Sequence, residues 1–350
     1  MRLSASLTCP TAGDLQQMPG WSGFNGQVRK EAAVPEPHSI GYLPVIDASP
    51  TNLDVVYTML MRSVETTDEV HHMQEKQPVI IVTDQAIYAK ALEICSSPAV
   101  TGLERIVLRM GAFHVALNFF AVVGHRFGSA GLRDVLIEAD VLASGSVDAV
   151  LEGRHYNRGL RVHKLVSEAL ERMRWAAFRK WNEHHAKPVD LDKLASVVGY
   201  LRAEISQHTL NKVLESKAFN NAAERYVQFC QSLGPNGQLW SSYLDIVGLL
   251  LQFTRSTREA NWKLHVECLL ELLPWFCAYD RSNYARYLPV YVLYTCFNCQ
   301  LHIPQLIGNW LLVSLPSKDP KATRMAAYHT TKPLKSPSTR TPRPKEVSSA

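Results

Sequence analysis

A chain of 350 residues, 46% apolar and 20% charged, is long enough for one large or two medium domains with a substantial core. Its formal charge of +5 is unevenly spread, because residues 316–350 hold eight Lys and Arg against Asp319 and Glu346 while the remainder is close to neutral. Seven scattered cysteines argue for reduced thiols, residues 1–20 lack the character of a secretory signal, and no apolar run is long enough to cross a bilayer. The expected protein is soluble, nuclear or cytoplasmic and not secreted, with no membrane partner.

Residues 1–38 mix Pro, Gly, Ser and Gln without a period and read as a disordered or remnant segment. Ile40-Gly-Tyr-Leu-Pro-Val-Ile46 is strand-like, Asp47-Ala-Ser-Pro-Thr-Asn52 supplies a turn, and Leu53, Val56, Tyr57, Leu60 and Val64 recur at helical spacing. A strand over 78–83, a helix over 85–95, a strand over 105–110 and a helix over 114–126 follow. Strands alternating with helices predict a parallel sheet with right-handed crossovers, so residues 39–131 form an α/β region. Beyond Gly131 the pattern is helical, with candidates at 132–143, 146–152, 158–181, 191–218 and 219–232. After the break Gly234-Pro-Asn-Gly237 come 240–255, 261–278 and 284–297, with Pro274, Pro289 and Pro304 ending or kinking helices. Residues 132–315 make a helical region and residues 316–350 a disordered basic tail.

Both predicted strands of the α/β region end by delivering a polar side chain to the start of a helix. Asp84 closes Pro78-Val-Ile-Ile-Val-Thr-Asp84, and His114 closes Arg105-Ile-Val-Leu-Arg-Met-Gly-Ala-Phe-His114. The carboxyl ends of parallel strands form the crevice where ligands and metals sit, so the two would share one rim. Each also has a plain structural reading: Asp84 as the cap of the next helix, His114 as a hydrogen-bonded core histidine. Glu259, in Arg255-Ser-Thr-Arg-Glu-Ala-Asn-Trp262, is either a functional carboxylate or a first-turn acid of a helix capped by Thr257. Asp280 reads as a turn or an ion pair.

The segment 154–181 is strongly basic, with Arg154, Arg158, Arg161, Lys164, Arg172, Arg174, Arg179 and Lys180 against Glu168 and Glu171. Arg154, Arg158, Arg161 and Lys164, with Trp175, Phe178 and Trp181 interleaved further on, are candidate nucleic-acid contacts. The competing reading is an amphipathic helix with Leu165, Ala169, Met173 and Ala176 facing the core. Cys296-Phe-Asn-Cys299 has the spacing of a zinc half-site without a second pair to complete it. No phosphate-binding GxxxxGK loop, dinucleotide fingerprint, GxSxG elbow or HExxH is present, which disfavours the common nucleotide, hydride-transfer and hydrolase classes.

The stretches Val82-Thr-Asp84-Gln-Ala-Ile-Tyr-Ala-Lys-Ala91, Met110-Gly-Ala-Phe-His114-Val-Ala-Leu-Asn118-Phe, His155-Tyr-Asn-Arg158, Arg258-Glu259-Ala-Asn-Trp262 and Tyr279-Asp-Arg-Ser-Asn-Tyr-Ala-Arg-Tyr-Leu-Pro289 carry a resemblance. Over about residues 40–295 the chain resembles a family of uncharacterised, multi-copy animal proteins of transposon origin. More distantly, the Asp-then-His order is similar to ribonuclease-H-like (Mutator-like) transposases. This implies an α/β plus all-α fold, a partial ribonuclease-H-like parallel sheet of about three strands leading into a larger helical region. It also implies that Asp84 matches the second metal-binding carboxylate, His114 the histidine of the next strand, and Glu259 the final acidic residue after a helical insertion. Any surviving activity would be Mg²⁺-dependent phosphodiester cleavage, with Asp84 and Glu259 as ligands and His114 beside them.

One departure stands out. In that fold three strands precede the first helix and the first catalytic Asp lies on strand one. Here Ile40–Ile46 would be the third strand, and residues 1–38 offer no strand that ends in a carboxylate. The expectation is a truncated, catalytically inactive, transposon-derived protein with DNA as a candidate partner. The alternative is a non-catalytic helical module for protein interaction or nucleic-acid binding.

Overall fold

The computed structural model describes residues 21–28, 40–71 and 78–298. The chain divides into a unit of residues 1–292 and a second of residues 293–350, the described part of the latter being helical. Helices α1 (Trp21–Val28) and α2 (Leu53–His71) lead into strand β1 (Val79–Thr83), helix α3 (Gln85–Cys95), strand β2 (Ile106–Met110) and helix α4 (Ala112–Phe127). A π-helical turn, Gly128–Leu132, continues into α5 (Arg133–Glu138) and is followed by α6 (Ser144–Leu151), α7 (Tyr156–Glu183), α8 (Leu191–Ala203), α9 (Gln207–Leu214) and α10 (Lys217–Ser232). Helices α11 (Pro235–Arg258), α12 (Trp262–Ala278) and α13 (Ser282–Asn298) complete the order, so the described residues are mostly helical with one small parallel sheet.

β1 and β2 pair in parallel with Val79 beside Ile106 and Thr83 beside Met110, across the α3 crossover. Among the described residues the sheet has these two strands, not about three. Ile40–Ile46 forms no strand: Tyr42 and Val45 are 94% and 93% exposed. Its local composition suits a strand, but Pro44 has no N–H for a ladder and no described strand lies alongside to pair with it. Two further expectations change. Trp21–Val28 is helical inside the segment expected to be a disordered or remnant one, and 191–218 is two helices and the first residues of a third rather than one. Ser206 and Thr209 make a reciprocal capping box that starts α9, and Ser216 caps α10, so local side-chain acceptors divide the run. The expectations for residues 1–20, 29–39 and 299–350, including the basic tail, Cys299 and Pro304, lie outside the described residues.

α4 is the centre of the packing. Val115, Ala116 and the consecutive run Phe119-Phe-Ala-Val-Val-Gly124 are all buried, so this helix is covered on every side. Two glycines allow close approach. A Cβ on Gly124 would strike the Leu151 carbonyl oxygen, and one on Gly153, at φ +78°, would strike that of Leu117. The first half of α7 also packs here, with the His163 ring stacked 5.5 Å from Phe120 and its Nδ1 2.9 Å from the Tyr243 hydroxyl. Its second half joins a separate core, where Trp175 and Phe178 meet Tyr226, Phe229, Leu194 and Val198.

Burial lowers the His163 pKa from 6.5 to about 4. The unfolded chain takes up this proton from its ordinary value downward while the folded chain resists until about pH 4, so stability falls as pH drops through that window. At about 1.4 kcal/mol per unit of difference, His163 contributes about 2–3 kcal/mol to the loss between about pH 7.5 and 4.5. Urea unfolding of His163→Phe beside the parent should show a correspondingly shallower decline over the same range.

Candidate sheet-rim site and basic helix face

Asp84 leaves β1 in extended conformation and caps α3, its Oδ1 accepting the Ile87 N–H at 2.9 Å. Beside it lies a residue that sequence reasoning did not single out. The buried Tyr284 phenol, from the first turn of α13, is pushed up to about 12, by burial first and then by the negative charge of Asp84, against a hydrogen bond from Asn118. Asn118 in turn donates from Nδ2 to the His114 carbonyl at 3.0 Å. The rim of the sheet therefore gathers Asp84, Asn118 and Tyr284. Its readable signal was the Tyr279–Pro289 motif, which forms the α12–α13 corner with Asp280 at φ 52°.

His114 lies one turn before Asn118 with its side chain exposed and its ring 5.2 Å from Phe113, so it is not a core histidine. Glu259 terminates α11, where Oε1 receives the Arg255 Nε–H at 2.8 Å. The following helix is capped by Asn261, whose Oδ1 accepts the Leu264 N–H, while Thr257 bonds back to Phe253 within α11. The donor set does not fit a two-metal centre: Asp84 is committed to an N–H, Glu259 to a guanidinium, and no three His, Cys, Asp or Glu side chains among the described residues group so as to hold an ion.

The basic helix α7 divides into two electrostatic halves. In the second, Arg172 pairs with Glu168, and the buried Arg174 pairs with Glu171 at 2.6 Å while also donating to Tyr226 and Ser241. Tyr226 completes this network by donating to Glu171, and burial with that carboxylate raises its pKa well above the ordinary phenol range. Trp175 and Phe178 are core residues, not stacking partners for bases. The apolar face is also not the expected one: Leu165, Ala169, Met173 and Ala176 point outward, while Leu160, His163, Val166, Trp175, Phe178 and Asn182 point in.

The first half is different. Arg154 pairs with Glu152 at 2.6 Å, but Arg158 and Arg161 are exposed and have no ion-pair partner among the described residues. Lys164 lies close enough to Arg258 for that charge, after burial, to lower its pKa. Arg158, Arg161 and Lys164 follow one another at three-residue steps along α7, and Lys164 meets Arg258 at the α7–α11 junction, which makes a cationic patch.

The family model of a domain of unknown function (DUF8702) matches residues 20–302, and the chain belongs to that family. No curated protein and no solved structure matches it. No helix among the described residues is long and apolar enough to cross a membrane.

If capping is the task of Asp84, Asp84→Ala should lower stability by about 1 kcal/mol and Asp84→Asn, an equally good cap, by much less. Denaturant midpoints of the two variants decide this, and equal losses would show that the charge rather than the cap matters.

Proposed function

We propose that this DUF8702 protein is a transposon-derived relative of ribonuclease-H-like transposases that has lost metal-dependent cleavage and binds nucleic acid through the first half of α7. The observation that supports binding is the cationic patch. Arg158 and Arg161 stand exposed one turn apart on α7 without carboxylates among the described residues, with Lys164 and Arg258 near each other beyond them. A phosphate backbone running along the outer side of α7 places anions beside the two exposed arginines. Support for the loss of cleavage is chemical. Asp84 accepts the Ile87 N–H, Glu259 faces Arg255, and neither belongs to a group of three or more His, Cys, Asp or Glu that could hold an ion among the described residues.

A second reading, a helical protein-interaction module, draws on Leu165 and Met173, large apolar side chains exposed on the outer side of the same helix. The two readings separate by mutation. Duplex DNA affinity measured by fluorescence anisotropy should fall with salt at a log–log slope of about −3 to −4, and Arg158→Ala/Arg161→Ala should reduce that slope by about 2. Met173→Glu should leave the slope unchanged. Binding that is absent or indifferent to salt overturns the nucleic-acid reading, and Mg²⁺-dependent nicking of the duplex overturns the loss of cleavage.

A further inference from the structure

A second cation stands without a carboxylate, and it lies at the other end of α4. Arg126 is half-buried, its guanidinium 5.3 Å from the Phe127 ring centre and 5.4 Å from that of Trp275. Its Nη1 donates to the Tyr279 hydroxyl at 2.9 Å and its Nη2, weakly, to Ser242 Oγ at 3.5 Å. Its Nε is buried and finds no acceptor, and no carboxylate comes within ion-pair reach, among the described residues. The adjacent Asp280 is exposed and makes no pair with it.

This arrangement is unusual for a structural arginine. A guanidinium carries five N–H donors and no acceptor, and a desolvated one is ordinarily neutralised. The half-charge of a helix C-terminus does not do so here, because α4 runs on through the π-helical turn and the Gly128 N–H still bonds to Gly124. Both partners of Arg126 are neutral hydroxyls. By accepting from the cation, each keeps its own proton to donate elsewhere. The site therefore offers a planar cation and two hydroxyl donors, walled by aromatic rings and short of one anion.

We propose that Arg126, Tyr279 and Ser242 bind a phosphate-type oxyanion. The three groups come from α4, the α12–α13 corner and α11, so an occupant fastens those elements together. This site shares no residue with the patch on α7, and the inference stands whether or not that patch binds nucleic acid. The oxyanion can be a free phosphate or a phosphate of a nucleic-acid backbone, since both present the same acceptors.

The test is thermal unfolding of the full chain during titration with inorganic phosphate, with chloride exchanged to hold ionic strength constant. A saturable rise in Tm is expected. Arg126→Met should abolish it, Tyr279→Phe/Ser242→Ala should weaken the apparent affinity by about tenfold or more, and Arg158→Ala/Arg161→Ala should leave it intact. If Arg126→Met does not fold, the double hydroxyl variant decides. Repetition with a short DNA duplex present identifies the source: competition for the phosphate-dependent rise points to the backbone, independence to a free oxyanion, and both uphold the site. A parent protein that responds to phosphate no more than to chloride overturns the proposal, as does a full response in the hydroxyl variant.

Discussion

Burial of α4 on every side is the constraint from which the rest of the architecture follows. A helix in which six consecutive residues, Phe119–Gly124, are all buried cannot be satisfied by one neighbour. It needs the N-terminal half of α7 and the α11–α12 pair, and it takes α6 at the closest range that backbone allows. Gly124 and Gly153 are where that range is set, since each lies against a carbonyl oxygen of the facing segment. The polar groups at this centre are correspondingly few. His163 is the conspicuous one, held neutral by burial and bonded to Tyr243.

The same constraint explains why α7 carries its charges as it does. A helix of 28 residues that packs first against α4 and then against α8 and α10 must change its buried side midway. Arg174, which falls on the inward side after that change, is met by Glu171, Tyr226 and Ser241, and it becomes a fastening between helices. Arg158 and Arg161, on the outward side before it, have no such partners among the described residues. One basic run therefore holds two kinds of arginine. The difference between them is desolvation: the inner one is obliged to find acceptors, and the outer ones remain available to a ligand.

Periodicity made the α/β crossover legible. The apolar run in Val79–Thr83, the helical spacing of Gln85–Cys95 and the buried run of α4 each depend on local pattern, and each element formed close to its expected limits. What periodicity could not carry was the identity of the neighbour. Ile40–Ile46 has strand composition and no strand beside it among the described residues. Leu165, Ala169, Met173 and Ala176 make a regular stripe, but the bulkier Trp175 and Phe178 one side over captured the core. Thr257 looked like a cap because it precedes a helix, yet the chain turns three residues later and Asn261 does the work. For the rim, Asp84 was visible as the polar end of an apolar run. Tyr284 was not, because its meeting with Asp84 joins positions two hundred residues apart in sequence.

That long-range meeting also bears on what the rim has become. A parallel sheet is ordinarily covered on both faces and flanked by further strands, whereas Ile80 and Val82 are each 63% exposed on one face of this two-stranded sheet. A metal centre at a strand terminus requires carboxylates from several neighbouring elements to converge, since the repulsion among them is what a bound dication offsets. At this rim Asp84 accepts the Ile87 N–H and lies near the Tyr284 phenol, which Asn118 hydrogen-bonds. The N–H bond that caps α3 is made to that carboxylate. The phenol gains little from ionising beside it, which is why its proton is held more tightly than usual. Cations without a carboxylate partner among the described residues include Arg126 and, on the outer side of α7, Arg158 and Arg161, all away from this rim.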